Sequence, residues 1–336
     1  MAKKKEESKK VKDVDDLYVS ANSILDKKMQ TISISPALDL LTGGFKEGGF
    51  GIFAGPPKIG KTTTALQIAA NAQDPKYTCE INQAGNPRTV YFFNIEGRLS
   101  DRDITGIHNL KEDQFKVVQS EPGNILTAED YIERGETLIN EKPGDVFIFD
   151  SFSQLCTKGR READLRDRYR DDTALLLAAF CKRICNIIPV NRSLVMGITH
   201  LMANQGHGHS ETKEGGGFKI QYANTLKLRA TYKEPLLSGE EQVGQYVHWK
   251  CENSSIHGSG NQGVSTIRYG YGLDDALELV TLCTDFGIVI KGGAWYSIGD
   301  KKVQGIEAAR NLVAEDRGLY DELWARLIDM TGTKSN

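Results

Sequence analysis

The chain has no Cys-x-x-Cys pair. Its six cysteines (Cys79, Cys156, Cys181, Cys185, Cys251 and Cys283) are scattered. A zinc site or a disulfide framework is therefore not expected, and reduced thiols in a cytoplasm are. No apolar run approaches the length of a membrane span, which argues against a membrane protein. The Lys-rich N-terminus has no apolar stretch behind it, so a secretory signal is not expected. A large net charge is missing too. At −3, bulk electrostatics do not favour a nucleic-acid partner, and such binding would depend on where charge is clustered. No internal repeat is evident, which leaves no sign of a solenoid.

What remains is an ordinary globular composition, 39% hydrophobic and 26% charged over 336 residues. That length suits one large domain, or a main domain with a small appendage. Within it stands one strong motif. Residues 55–62 read Gly-Pro-Pro-Lys-Ile-Gly-Lys-Thr, the full Gly-x-x-x-x-Gly-Lys-Thr phosphate-binding pattern. Gly55 and Gly60 allow a tight turn, so that consecutive N–H groups converge on one hollow. The expected nucleotide-binding run is Gly55, Pro56, Pro57, Lys58, Ile59, Gly60, Lys61, Thr62 and Thr63. Lys61 supplies a point charge for phosphate, and the Thr62 hydroxyl suits Mg²⁺. The context agrees: Phe50–Ala54 reads as a buried strand, and Thr62–Ala72 as a helix whose N-terminus adds partial positive charge.

The rest of the chain alternates. Residues 1–12 hold six lysines and two glutamates and read as a disordered tail. A short helix is predicted over Asp16–Leu25, a strand over Thr31–Ile34, and a turn at Thr42–Phe45. Further strands are predicted at Thr89–Asn94, Phe115–Gln119, Asp145–Asp150 and Ser193–Thr199. Helices are predicted from Thr127 to about Ile139 and from Asp172 to Ile188, the latter stopped by Pro189. Near-continuous apolar strands between helices indicate a mostly parallel twisted α/β sheet covered on both faces. Three strands suited to antiparallel pairing follow, at Asn224–Tyr232, Gln242–Lys250 and Val264–Tyr269. Residues 273–336 read as a small α/β appendage, with helices at Asp274–Phe286, Ile306–Ala314 and Leu319–Met330 around a Gly-Gly turn at 292–293. The expected organisation is a tail (1–12), an N-terminal segment (13–48), a nucleotide-binding core (49–272) and a small C-terminal domain (273–336).

Three polar residues at strand ends carry chemistry. Asp150 can complete the metal site that Thr62 begins. Glu96 follows the strand ending at Asn94, which is expected to lie next to the phosphate-loop strand; a carboxylate there can orient and deprotonate water. His200 ends the strand at Thr199 and can sense the γ-phosphate and pass that on to the loop that follows. Two loops leave the same sheet edge. Residues 158–170 carry six basic and three acidic side chains, Lys158, Arg160, Arg161 and Arg168 among them. Residues 202–218 are long, polar and Gly-rich, with Asn204, Gln205, Gly206, His207, Gly215, Gly216 and Gly217, and Lys219 just beyond. Together they can form a groove that follows a phosphate backbone.

At this point the ordered set of motifs resembles the RecA-type homologous recombinases, and most closely the phage recombinases of the UvsX kind. The resemblance runs from about Thr31 to about Met330. It takes in Thr-Ile-Ser-Ile-Ser-Pro-Ala-Leu-Asp-Leu-Leu (31–41), the phosphate loop through Thr63, the strand before Glu96, and Val-Phe-Ile-Phe-Asp-Ser (146–151). It continues through Gly-Ile-Thr-His (197–200), Gly-Gly-Gly-Phe-Lys-Ile-Gln-Tyr-Ala (215–223) and Gly-Gly-Ala-Trp-Tyr-Ser (292–297). The resemblance implies a RecA-type core binding ATP and Mg²⁺ between subunits of a helical filament on single-stranded DNA. It also implies that the segment 13–48 is an oligomerisation arm and the core 49–272 an ATPase. Glu96 falls on the family's catalytic glutamate, His200 on its γ-phosphate sensor, and the two loops on its DNA-binding loops. Tyr269 matches an aromatic near the adenine, and Lys250 lies near lysines that reach ATP from the neighbouring subunit. The chain departs from the pattern where Asp103 replaces an adenine-stacking tyrosine and where Glu252 replaces the second interface lysine.

The reading is a DNA-dependent ATPase of a bacterial or phage-infected cytoplasm that pairs single-stranded with double-stranded DNA in recombination, repair and replication. A single-strand-binding protein and a loading mediator are its expected partners. A ring helicase and an ATP-binding mediator without strand exchange are the rival readings.

Overall fold

A computed structural model describes residues 18–20, 29–79, 81, 87–164, 166, 172–202, 213–214 and 224–332. Most of the predicted helix at 16–25, Arg168 and most of the second loop lie outside them.

Fifteen strands are present among the described residues. β1 (Thr31–Ile32) and β2 (Phe45–Lys46) form a small antiparallel pair. The helix Pro36–Thr42 between them starts with Pro at its first turn, where a missing N–H costs nothing, and ends on Gly43 at φ +83°. The main sheet takes β3 (Phe50–Gly55), β4 (Val90–Asn94), β5 (Phe115–Val118), β6 (Val146–Asp150), β7 (Leu194–Met202), β8 (Lys213–Glu214), β9 (Leu226–Ser238), β10 (Glu241–Ser254), β11 (Gln262–Arg268) and β12 (Gly272–Leu273). Its order is β12-β11-β10-β9-β3-β7-β6-β4-β5, with β8 on β7. From β9 through β3 to β5 the neighbours are parallel; β9 to β12 pair antiparallel.

This order corrects one expectation. β4 is not beside the phosphate-loop strand: β7 and β6 stand between them. Periodicity identifies strands but does not order them, because buried parallel strands are apolar on both sides.

Alternation along each strand builds a core on either face of the sheet. Phe53, Phe92, Ile148, Met196 and Leu228 point to one face, against Leu66 and Ile68 of the helix Lys61–Ala72. Ile52, Phe93, Phe147, Phe149 and Val195 point to the other, against Leu177, Phe180 and Ile184. Phe93 and Phe149 stack at 4.2 Å between ring centroids. Gly197 of β7 leaves room for the Phe152 ring: a Cβ there would lie 2.1 Å from Cε2.

The helix predicted to run from Asp172 to Ile188 ends earlier, at Ile184, and a short helix Ile187–Asn191 restarts the turn. Pro189 therefore sits in a first turn, where its missing N–H and its ring are tolerated, instead of stopping a long helix. The helix Ala128–Glu141 starts from Thr127 as expected, through a capping box with Asp130. At the C-terminal end, helices Asp275–Asp285, Ile306–Glu315 and Arg317–Thr331 pack with β13 (Ile290–Gly292), β14 (Trp295–Ile298) and β15 (Lys301–Gln304) around Leu279, Val280, Tyr296, Val313 and Leu327.

Candidate nucleotide site

The parallel strands β3, β7, β6 and β4 end along one edge, and every polar residue singled out at a strand end gathers there. β3 stops at Gly55 and the chain turns through Pro56–Gly60 into the helix that starts at Lys61. Gly60 has φ +108° and no room for a side chain, since a Cβ would lie 2.3 Å from Ile267 Cδ1. Lys58 takes a left-handed φ of +57° in the same turn.

Lys61 is only 4% exposed. Its Nζ donates to the carbonyls of Gly55 at 2.9 Å and Pro56 at 2.7 Å, and lies 3.3 Å from His200 Nδ1. An ammonium can only donate, so Nδ1 accepts and Nε2 carries the ring proton. Nε2 in turn is hydrogen-bonded to Glu96 Oε1, which also accepts from Ser151 Oγ at 2.8 Å. A continuous polar chain thus runs from the phosphate loop through His200 to Glu96.

Glu96 arrives from β4 across the intervening strands because the chain after Asn94 folds back. The N–H groups of Ile95 and Glu96 both donate to the Asp150 carbonyl, at 2.9 and 3.0 Å. The hydrogen bonds from His200 and Ser151 hold the Glu96 carboxyl down at about 2, against the effect of burial. It is an ionised acceptor at neutral pH.

Thr62 Oγ1 donates to Asp150 Oδ2 at 2.7 Å. Burial pushes Asp150 up to about 6, with the Thr62 hydrogen bond opposing it and the Glu96 charge adding to it. Burial likewise pulls Lys61 down to about 8, against the attraction of Asp150 and Glu96.

These residues fit a nucleotide and its cation. Thr62 and Asp150 offer two hard oxygens side by side. Among the described residues no cluster of three or more His, Cys, Asp or Glu side chains could hold a metal. A cation held mostly by phosphate and water, as Mg²⁺ prefers, suits a pair and not a cage. Lys61 is bonded to neutral acceptors, two loop carbonyls and His200 Nδ1, which phosphate oxygens would outcompete.

Beside the helix start opens a cavity of about 350 Å³, lined among others by Thr62, Thr63, Leu66, Asp103, Ile267 and Tyr269. Tyr269 is 45% exposed, and its hydroxyl accepts from Gln242 Nε2 at 2.9 Å. Asp103 is engaged in a helix cap: its Oδ2 accepts from Ser100 N at 2.9 Å and Ser100 Oγ at 2.7 Å. It lines the cavity without a ring to stack there.

Lys250 is exposed on β10, level with Arg229 on β9, and is not brought to the phosphate loop of its own chain. Glu252 bridges two cations, Lys227 Nζ at 2.8 Å and Arg229 Nε at 2.6 Å. The first basic loop opens as a helix, Lys158–Glu162, capped by Thr157. Lys158, Arg160 and Arg161 are exposed, and Arg161 Nη1 donates to the Ile125 carbonyl at 3.0 Å. Asn204, Gln205, Gly206, His207, Gly215, Gly216, Gly217 and Lys219 lie outside the described residues, as does Arg168.

Sequence reasoning missed Ser151, the hydroxyl that bonds Glu96 beside His200. The signal was available: a hydroxyl directly after the acid that ends β6.

No family model matches the chain. Curated relatives do. The Protein RecA of Lactobacillus johnsonii is 26% identical over 314 residues, covering 92% of this chain and 82% of the relative. That of Helicobacter hepaticus is 26% identical, covering 91% of this chain and 85% of its own length. That of Symbiobacterium thermophilum is 28% identical, covering 82% and 76% respectively.

Proposed function

The chain belongs to the RecA-type recombinase family, and on that premise we propose that it is a DNA-dependent ATPase that assembles as a helical filament on single-stranded DNA and exchanges strands with a homologous duplex. The observation that carries the reading is the polar chain Lys61–His200–Glu96, which joins the phosphate loop to the strand that leads into the second, Gly-rich loop.

In this reading, ATP with Mg²⁺ supplies the phosphoanhydride to be cleaved and the charge that holds neighbouring subunits together. Thr62 and Asp150 hold the cation. Lys61 leaves the Gly55 and Pro56 carbonyls for phosphate oxygens, and the N–H groups of the loop hold the rest. The move deprives His200 Nδ1 of its donor, so the imidazole can re-aim. Glu96, ionised and partly released from His200, orients a water and accepts its proton. His200 sits on β7, whose end leads into the loop at 202–218, so nucleotide state and the DNA-binding segment are linked through one strand. Lys158, Arg160, Arg161 and Arg168, with the second loop, neutralise DNA phosphates. Tyr269 borders the base, and Lys250 serves the neighbouring subunit's nucleotide.

We take residues 13–48 as the oligomerisation arm, 49–272 as the ATPase core and 273–336 as a small C-terminal domain. We also propose a place nearer the phage UvsX-like branch, on the ordered motifs between Thr31 and Met330 that resemble it.

Electron microscopy with single-stranded DNA and a slowly hydrolysed ATP analogue tests the proposal. Helical filaments are expected, together with ATP hydrolysis stimulated by single-stranded DNA. Closed rings would indicate a helicase, and dispersed chains would overturn the reading. Glu252, a carboxylate at the second interface-lysine position, favours one alternative, an ATP-binding recombination mediator. Purified protein that forms D-loops alone would exclude it.

A further inference from the structure

The hairpin of β9 and β10 extends past the sheet edge and lies against the outside of the phosphate loop. Two of its side chains reach loop carbonyls. Gln245, 5% exposed, donates from Nε2 to the Ile59 carbonyl at 3.1 Å. Lys233 donates from Nζ to the Lys58 carbonyl at 2.9 Å. Gln245 sits opposite Pro235 on β9 and Ile267 on β11, and Ile267 is the residue that closes the space over Gly60. The loop therefore rests on a floor built by the antiparallel strands.

In a planar trans peptide, a carbonyl and the N–H of the next residue point in opposite directions. Holding the Lys58 carbonyl outward fixes the N–H of Ile59 inward, and holding the Ile59 carbonyl fixes that of Gly60. These two N–H groups belong to the hollow of the phosphate-binding pattern. Lys58 has a left-handed φ without being glycine, so an external tether here offsets an unfavourable backbone conformation.

We propose that Gln245 and Lys233 are positioning residues for the phosphate loop: the β9–β10 hairpin sets the direction of its N–H groups and thereby its affinity for nucleotide phosphates. The proposal rests on the nucleotide-binding reading above. Gln245 and Lys233 bond loop carbonyls and not Thr62, Asp150 or Glu96, so their contribution falls on binding and not on the chemical step.

The test is steady-state ATP hydrolysis by the full chain with single-stranded DNA, for Gln245→Leu, Lys233→Met and Lys233→Arg. Gln245→Leu leaves a buried carbonyl unpaired and should raise KM for ATP about tenfold, with kcat within about a factor of three. Lys233→Met, at an exposed tether, should raise KM about threefold, and Lys233→Arg should restore it. Unchanged KM in both Gln245→Leu and Lys233→Met overturns the proposal. So does a loss confined to Gln245→Leu that comes with a lowered melting temperature, since that is damage to packing. A wild-type chain that neither binds nor hydrolyses ATP would instead refute the nucleotide-binding reading itself.

Discussion

Glu96 and His200 are hydrogen-bonded although 104 residues separate them. Neither strand alone brings this about. β4 and β7 are not neighbours, and the contact exists because the chain beyond Asn94 turns back over the end of β6 and is tied there to the Asp150 carbonyl. The carboxylate that would handle water is thereby coupled to the imidazole that faces Lys61.

That coupling predicts the behaviour of Glu96→Gln. The amide keeps the shape and can still meet His200 or Ser151, but it cannot take a proton from water. Turnover should fall by about a hundred- to ten-thousandfold, while ATP-dependent assembly on DNA is retained and disassembly slows. Light scattering after ATP addition follows assembly and its decay. Rapid disassembly at the wild-type rate would remove Glu96 from the catalytic role.

Lys61→Ala should act one step earlier. In the structure the ammonium bonds Gly55 and Pro56 carbonyls and faces His200, so the substitution removes the phosphate's point charge and one end of the polar chain together. We expect hydrolysis below detection and weakened ATP binding, measured by titration calorimetry. Turnover near the wild-type level would mean that the phosphate loop is not the site of hydrolysis.

How far the site was legible follows from these residues. Lys61 and Thr62 lie in a contiguous motif, and Asp150, Glu96 and His200 each lie at or just past the end of an apolar strand, so one-dimensional patterns reach them. Ser151, directly after Asp150, was within the same reach but missed, and Gln245 was not legible in that way. The Gln245–Ile59 contact spans 186 residues and depends on a hairpin whose length the strand pattern underestimated: β9 runs to Ser238, beyond the predicted Tyr232. Strand order was illegible for a different reason. β3, β4, β6 and β7 are all apolar on both faces, so nothing local distinguishes a neighbour from a strand two places away. Pro189 shows the reverse error, a correct local rule applied to a helix that had already ended at Ile184.

Packing beneath the site gives a prediction independent of chemistry. Gly197 lies under the Phe152 ring, and a Cβ would intrude to 2.1 Å of Cε2 and 2.6 Å of Cδ2. Phe152 is itself stacked against Phe149 at 5.2 Å, so it has little freedom to yield. Gly197→Ala should destabilise the chain by about 1–3 kcal/mol through overpacking, read as a lower urea midpoint with unchanged slope. A wild-type midpoint would show that the aromatic layer can shift.

The final prediction concerns pH. Glu278 is buried, and its oxygens accept from Thr266 N at 2.7 Å and Ala37 N at 3.0 Å. Burial outweighs these hydrogen bonds and pushes the carboxyl from 4.5 up to about 8. Asp39, also buried, is raised from 3.8 to about 6 despite hydrogen bonds from Ser33 and Ile34. Both folded values lie above the unfolded ones, so within these windows the folded chain holds more protons than the unfolded chain. The stabilising contribution is then complete below about pH 4 and is lost as pH rises, through about 6 for Asp39 and about 8 for Glu278. Urea denaturation at pH 5, 7 and 9 should show declining stability, and Glu278→Gln, a neutral isostere, should flatten the decline above pH 6. A decline of equal slope in the variant would mean that Glu278 is ionised in the folded chain and that its two backbone donors outweigh its burial.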